Sequence, residues 1–417
     1  MVLNVKLYVL NLHRPVNYST IKSTYWDQAL TTAKPAPIPL SLYIHIPWCE
    51  RKCPYCDFNS HTSRAGLDEQ NYIHALLSDL QHDLEWVQGR EIISIFIGGG
   101  TPSLFSPESY QLLFEGLRKQ LDFTESMEIT LEANPGSAEQ QKFQEFHDAG
   151  INRLSIGVQS FNDDMLSKLG RIHNSQHAIK AAEAAHYAGF DNFNLDLMFA
   201  LPGQTLEQSV KDLEYACSLE PTHISWYQLT IEPNTLFYHQ TPVLPENDLV
   251  AEMQRQGQDY LQGKAYSQYE ISAYSRSRPC KHNLNYWQFG DYLAIGAGAH
   301  AKLTDAGANT VIRKQRLRHP DDYIRQSHDQ AVISQQRELA QPDRVLEFMM
   351  NALRLNQGAS YEQFEAHTLL DRSVIQKQLY KAREKSLLQD SNRIQPSNLG
   401  LQYLNDLLQI FMDSNHE

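Results

Sequence analysis

The sequence predicts an α/β fold: a partial (β/α)6 TIM-like barrel followed by a small, mostly helical, winged-helix-like C-terminal domain. Three observations carry this. Short apolar, β-rich runs alternate six times with helical patterns; several helical patterns stop at a glycine; and polar residues gather at the ends of successive runs. The runs are 42–46, 92–97, 127–131, 153–158, 193–199 and 223–229, and the helical stretches between them are 69–86, 107–120, 138–147, 175–187 and 206–217. Glycine stops stand in Asp148-Ala149-Gly150 and Tyr187-Ala188-Gly189, where a left-handed residue ends a helix without a side-chain clash. Strand and helix in strict alternation build βαβ units and a parallel sheet.

The polar residues fall at one end of that sheet. Three cysteines at 49–56 follow the first run, and a glycine-rich turn at 98–101 follows the second. Glu132 ends the third, Gln159 ends the fourth, Asp196 lies within the fifth, and Gln228 is near the end of the sixth. Such a gathering is the active face of a βα barrel. Six strands rather than eight leave the barrel open, with room for a large ligand.

Around the barrel, taken as residues 40–300, the chain divides further. Residues 1–39 are an N-terminal extension without pattern, and Pro35, Pro37 and Pro39 lead into the barrel. Residues 301–340 are polar and weakly patterned and read as a connecting region. From 341 to 417 the pattern turns helical at 345–353, 361–367 and 372–387, with a hairpin-like stretch at 388–394 and a last helix at 399–411. With this charge balance, packing on the barrel or protein contact is expected of that domain, rather than DNA binding.

The composition excludes several classes. At 417 residues with 41% hydrophobic and 20% charged residues, the chain is an ordinary globular one. Its net charge of −13 offers no broad surface to displace counterions from nucleic acid. The local basic group Arg313, Lys314, Arg316 and Arg318 reads as a solvated face. No apolar run approaches the roughly 20 residues that span a bilayer. The first 15 residues carry one lysine, an apolar patch broken by Asn4 and Asn11, and no small-residue cleavage site, so no secretory signal is read there. Five cysteines, three of them within eight residues, do not make a disulfide framework. A reducing compartment, the cytoplasm, is expected.

Cys49, Cys53 and Cys56 have the spacing C-x3-C-x2-C. Three thiolates on one short loop can hold three irons of a [4Fe-4S] cluster and leave the fourth iron open to a chelating amino acid. A Cys3His zinc site completed by His61 stays open on spacing alone. Three inert core cysteines do not suit so polar a loop. At Gly98-Gly-Gly100 backbone amides could meet a ligand directly, but a tight turn explains the triplet equally well, and the spacing is not that of a dinucleotide fingerprint. Asp196 sits inside an apolar strand and must be paired, either for function or in a hydrogen-bond network.

From about residue 40 to the C-terminus the chain resembles the radical S-adenosylmethionine (SAM) superfamily. More narrowly, it is similar to the branch holding oxygen-independent coproporphyrinogen III dehydrogenase and the HemW heme chaperones. The resemblance rests on Tyr43-Ile-His-Ile-Pro-Trp-Cys49-x3-Cys53-Pro-Tyr-Cys56-Asp-Phe-Asn-Ser-His61, Gly98-Gly-Gly-Thr-Pro102, Glu132-Ala-Asn-Pro135, Gly157-Val-Gln-Ser-Phe161, Leu169-Gly-Arg171 and Asn194-Leu-Asp-Leu-Met198. It implies a [4Fe-4S] cluster on Cys49, Cys53 and Cys56, with SAM at the open iron. It further implies that Gly99, Gly100 and Thr101 meet the methionine end of SAM. Glu132, Gln159, Arg171 and Asp196 complete the contacting set, with Tyr43 and Tyr55 beside the cluster. Arg171 suits a carboxylate through its fork of donors; the bland role of Glu132 is a surface or capping carboxylate.

Two positions favour the chaperone branch. The dehydrogenase pattern has a further cysteine two residues after the third, where this chain has Phe58. The stretch Cys280-Lys-His282-Asn-Leu-Asn-Tyr286-Trp287 is similar to the motif associated with heme binding in the chaperones. Imidazole is a good axial ligand, and aromatic rings pack on a macrocycle. A hydrogen-bonded loop histidine with two core aromatics is the bland alternative. Cys280 and His300 are further iron-ligand candidates, and Cys217 reads as buried and inert.

The resemblance thus implies a chaperone that binds heme b and delivers it to heme-requiring respiratory proteins. Cluster and SAM would gate the acceptor-competent state. A heme donor, a homodimer and peripheral membrane contact stay open as partners. The alternative is the dehydrogenase, in which a 5′-deoxyadenosyl radical abstracts hydrogen from coproporphyrinogen propionates ahead of decarboxylation. A third reading is an iron or redox sensor.

Overall fold

The structure, a computed structural model, describes residues 37–63 and 66–412. Most of the N-terminal extension, Pro35 included, lies outside the described residues. The six expected strands are β1 (Leu40–Ile46), β2 (Ile92–Gly99), β3 (Phe123–Ala133), β4 (Arg153–Gln159), β5 (Phe193–Phe199) and β6 (His223–Gln228). They lie side by side in chain order, every neighbouring pair parallel. β1, Leu-Ser-Leu-Tyr-Ile-His-Ile, is buried along its whole length, as a parallel strand covered on both faces must be.

Helices α1 (Glu69–Gln81), α2 (Pro107–Arg118), α3 (Phe143–Asp148), α4 (Ser175–Tyr187) and α5 (Leu206–Ser218) make the crossovers. Their starts are set locally. The Ser106 hydroxyl accepts the Ser109 amide with Pro107 at the first helical position, and Asn174 and Thr205 head capping boxes. The apolar stripe of α2, Tyr110, Leu113, Phe114 and Leu117, faces the sheet. The helix expected at 138–147 is two short pieces, Ser137–Gln140 and α3, and Lys142 between them reaches the carbonyls of Ser103, Leu104 and Phe105.

Beyond β6 come α6 (Asn247–Gly263), β7 (Ser267–Glu270), β8 (Ala273–Ser275) and a short helix α7 (Lys281–Trp287). The chain then returns to the free edge of β1, where β9 (Asp291–Ile295) pairs parallel with it. β10 (His300–Asp305), β11 (Thr310–Arg316) and β12 (Ile333–Glu338) follow antiparallel, giving one twelve-stranded sheet. This corrects the reading of 301–340 as an irregular connection. Its charges hid the strands. Lys302 and Arg316 are fully buried and Lys314 nearly so, each paired to a carboxylate: Lys302 to Asp291 (3.0 Å), Lys314 to Asp83 (2.6 Å) and Arg316 to Asp79 (2.7 Å). Lys314 and Arg316 are therefore not a solvated face; Arg318 is exposed, and Arg313 pairs with Glu347 at 2.6 Å.

The C-terminal residues form α8 (Gln341–Ala352), α9 (Tyr361–Thr368), α10 (Gln376–Glu384) and α11 (Leu404–Met412). Their core of Phe348, Phe364, Leu379, Leu407 and Phe411 also takes in Phe289, Val311 and Leu339 from the sheet side. The expected last helix breaks at Tyr403 into Asn398–Gln402 and α11, and Arg393–Ile394 pairs with Ala359–Ser360. Among the described residues no helix is long and apolar enough to cross a membrane.

Candidate cofactor site at the barrel mouth

The cysteine loop leaves the C-terminal end of β1. Trp48–Cys49 pairs with His61–Thr62, and the Cys56 amide donates to the Cys53 carbonyl at 3.1 Å. The loop is closed at its base and turned between the second and third cysteines. Cys49 is buried and the other two half-buried. Burial pushes the Cys49 thiol up, and that of Cys56 to about 11, so metal binding must displace their protons.

The glycine turn packs on this loop. Gly100 and Thr101 donate their amides to the carbonyls of Ile46 and Trp48, both at 2.7 Å, and the Gly99 amide donates to Glu132 Oε2 at 3.0 Å. The amides expected to grip a zwitterion are thus already engaged within the protein. A Cβ on Gly100 would stand 2.4 Å from the Trp48 carbonyl oxygen, and Gly99 has φ +119° with the His45 ring 2.6 Å from its missing Cβ. Glycine is needed here by close packing.

The remaining predicted residues converge on the same end. Burial, with the Asp196 charge adding to it, pushes the Glu132 carboxyl up to about 7. Asp196 accepts hydrogen bonds from Ser155 (3.0 Å) and Asn194 (2.9 Å), and burial raises its pKa. Gln159, at φ +70°, accepts the Tyr227 hydroxyl at 2.9 Å. Arg171 spans from barrel to cysteines: Nη2 donates to Asn134 (2.7 Å) and the Gly157 carbonyl (2.9 Å), and Nη1 reaches Cys53 Sγ at 3.4 Å. Its Nε is buried without a protein partner. Tyr55 packs against Phe237, ring centroids 6.3 Å apart. A cleft of about 500 Å³ lined by Arg51, Lys52, Cys53, Cys56, Lys168 and Phe237 opens the loop to solvent.

Sequence reasoning missed Asn134, Ser155, Asn194 and Tyr227, which hold the predicted residues in place. For Asn194 the available signal was alternation: it stands two residues from Asp196 on the same strand, hence on the same face.

Two predicted residues lie elsewhere. Tyr43 bonds His45 Nδ1 at 2.8 Å and lines a small cavity with Tyr286, Tyr292 and His300. His282 lies on α7, which covers the N-terminal end of the barrel interior. It is 8% exposed and stacked flat on Phe96, 4.2 Å between centroids. Tyr286 is packed beside it, 5.9 Å between centroids, and Arg354 lies over the Trp287 ring at 4.3 Å. His300 is half-buried, and burial, with Arg313 adding to it, pushes its pKa down to about 4. Cys217 is buried on α5.

The donor set at the mouth fits a thiolate-ligated cluster. Three sulfurs share one loop, the place of a further cysteine is taken by Phe58, and a buried guanidinium nitrogen beside Cys53 is left over for an anionic group. The model of the radical SAM superfamily matches residues 43–216, and that of the HemN C-terminal domain matches 339–403. The solved structure of coproporphyrinogen III oxidase (HemN) from Escherichia coli superposes with a TM-score of 0.75, at 23% identity and over 90% of both chains. Sheet, loop and family match together define a radical SAM protein, a class that implies a [4Fe-4S] cluster and SAM.

The chain is 48% identical to the heme chaperone HemW of Haemophilus influenzae over 380 residues, 90% of this chain and 98% of that one. It is 46% identical to Escherichia coli HemW over 376 residues, with the same coverage, and 35% identical to Bacillus subtilis HemW over 338 residues, 78% of this chain and 86% of that one. It belongs to the HemW family.

Proposed function

We propose that this protein binds heme b and hands it to heme-requiring respiratory proteins in the cytoplasm. The observation that carries the reading is identity of 46–48% to two proteins named heme chaperone HemW, over 98% of their lengths. Phe58 supports it, standing where the dehydrogenase pattern has a cysteine.

In this reading Cys49, Cys53 and Cys56 would hold the cluster and Glu132, Gln159, Arg171 and Asp196 would contact SAM, with Gly99, Gly100 and Thr101 shaping the turn beneath it, since their amides are engaged within the protein. The bound cluster supplies an iron with an open coordination position. Arg171, whose Nη1 reaches Cys53 Sγ and whose Nε has no protein partner, would offer a donor to the SAM carboxylate, and Glu132 near the end of β3 with Asp196 within β5 would supply acidic acceptors. His282 would ligate the heme iron. As folded it is enclosed by Cys280, Glu128, Thr130 and Phe96, so heme access requires that enclosure to open.

The test is an anaerobic heme titration of reconstituted wild type and His282→Ala, followed by absorbance. Saturation near one heme per chain, lost or spectrally shifted in the variant, is expected. Equal binding by both moves the ligand to Cys280 or His300. Absence of specific binding by wild type overturns the chaperone reading, and decarboxylated product from coproporphyrinogen III would replace it with the dehydrogenase.

A further inference from the structure

A second group of metal-ligating side chains lies at the end of the barrel away from the cysteine loop. Glu128 projects from β3, while Cys280 and His282 stand at the start of α7, and the ligand atoms of all three lie within 4.8 Å of one another. Cys280 Sγ is 3.2 Å from Glu128 Oε1 and 3.1 Å from His282 Nδ1, and Nδ1 is 3.4 Å from that same carboxylate oxygen. A tetrahedral zinc ion has metal–sulfur bonds of about 2.3 Å and metal–nitrogen or –oxygen bonds of about 2.0–2.1 Å, so its donors stand about 3.3–3.6 Å apart. The three observed separations come close to the edges of one face of that tetrahedron. One small shift outward would admit the ion.

Two further buried side chains, His223 and Arg153, face the group. His223, on β6, is 2% exposed, and neither of its ring nitrogens makes a hydrogen bond of ordinary geometry. It lies close enough to Glu128 and His282 to sense their charges. Its ring faces the Arg278 backbone and stands edge-on to Tyr269, 6.2 Å between centroids. Arg153 also faces the group, and its Nε is buried without a partner. A ligand set containing both a carboxylate and a thiolate is what lets a dication sit beside that guanidinium. Residues 276–278, just ahead of Cys280, are exposed.

We propose that Glu128, Cys280 and His282 form a second metal site, separate from the cysteine loop, for a borderline divalent ion of the zinc class. The Cys280 proton leaves to solvent on binding, the imidazole binds as its neutral form, and water completes the tetrahedron. The ion then fastens α7 across the barrel end, and His282 cannot ligate heme while it is bound. The inference does not rest on the heme reading: with no ion there, the chaperone proposal is untouched.

The bland alternative is a hydrogen-bonded knot. Glu128 Oε1 already accepts the Lys281 amide at 3.0 Å and the Cys280 thiol, and that alone pins α7. The experiment separates the two. Zinc is measured by elemental mass spectrometry on heme-free, full-length, cluster-reconstituted protein after zinc equilibration and dialysis. About one zinc per chain is expected in wild type, falling at least tenfold in Cys280→Ser. Glu128→Gln keeps the amide acceptor but loses the charge, and is expected to weaken zinc binding about 10–100-fold. It also serves as the readout if Cys280→Ser does not fold. In a Cys49→Ser/Cys53→Ser/Cys56→Ser protein, cobalt(II) is expected to give sulfur-to-cobalt charge transfer that disappears on adding Cys280→Ser. No zinc in wild type, or zinc and cobalt signals indifferent to Cys280 and Glu128, would leave the knot only and overturn the site.

Discussion

His45 stands between the glycine turn and the body of β1, and its surroundings fix its chemistry. Nε2 lies 2.8 Å from the Asn59 carbonyl, which can only accept, so Nε2 carries the proton. Nδ1 is then bare and accepts the Tyr43 hydroxyl at 2.8 Å. A neutral ring is required, and burial pushes its pKa down to about 4. Between about pH 6.5 and pH 4 the unfolded chain takes up a proton that the folded one refuses, so stability falls as pH drops through that window and levels off below it. The penalty is on the order of 3 kcal/mol. Denaturant unfolding at pH 7.5 and pH 5 is expected to show a smaller loss in His45→Gln than in wild type; equal losses would mean the ring is not held neutral. Asp196 poses a different question, because both its oxygens already accept bonds from Ser155 and Asn194. If its charge also serves SAM, Asp196→Asn weakens SAM binding about tenfold in equilibrium dialysis of reconstituted protein. Unchanged affinity would reduce Asp196 to a strand-to-strand tie.

At the scale of elements, β11 is fastened to the outer helix α1 by charge rather than by apolar contact. Arg316 pairs with Asp79 and Asp83, Lys314 pairs with Asp83, and the Tyr323 hydroxyl donates to Asp79, at distances of 2.6–2.7 Å. Asp79, Asp83 and Arg316 are fully buried. Arg316→Met leaves Asp79 without its strongest partner and is expected to cost about 3–5 kcal/mol by chemical denaturation. Adding Asp79→Leu is expected to recover part of that loss, and a purely additive double variant would argue against direct coupling. This is also where the sequence was least legible. Thr-Val-Ile-Arg-Lys-Gln-Arg reads as a polar stretch because the carboxylates that neutralise it lie some 230 residues away. By contrast β5 was read at its observed bounds, since its apolar residues declare it without reference to any partner.

At the scale of the molecule, two hydrophobic cores share a boundary. Phe348 of α8 lies edge-on to Phe364 at 5.1 Å and to Phe289 at 5.8 Å, and Phe289 directly follows the segment that carries α7. The C-terminal helices are therefore built onto the sheet, and the loop that closes the barrel is anchored in their core. Phe348→Ala is expected to cost about 3–5 kcal/mol. Because Phe289, Val311 and Leu339 of the sheet side are part of the core of the C-terminal helices, calorimetry should show one transition that moves down as a whole. A separate early transition for the C-terminal helices, with the barrel unmoved, would show the cores to be independent.

The sequence by itself determined the six parallel strands, the end at which the polar residues gather, and the cysteine loop. Each of these is a matter of local periodicity or of ligands close together in the chain. Tertiary structure alone decided the rest. It extended the sheet through 300–340, because buried ion pairs made strands of segments whose composition denied it. It engaged the glycine-turn amides internally, because those glycines touch the strand that carries Cys49. It placed His282 at the opposite end of the barrel from the cysteines, against Glu128, because the register of β3 and the return of the chain after β8 are set by contacts between residues some 150 positions apart.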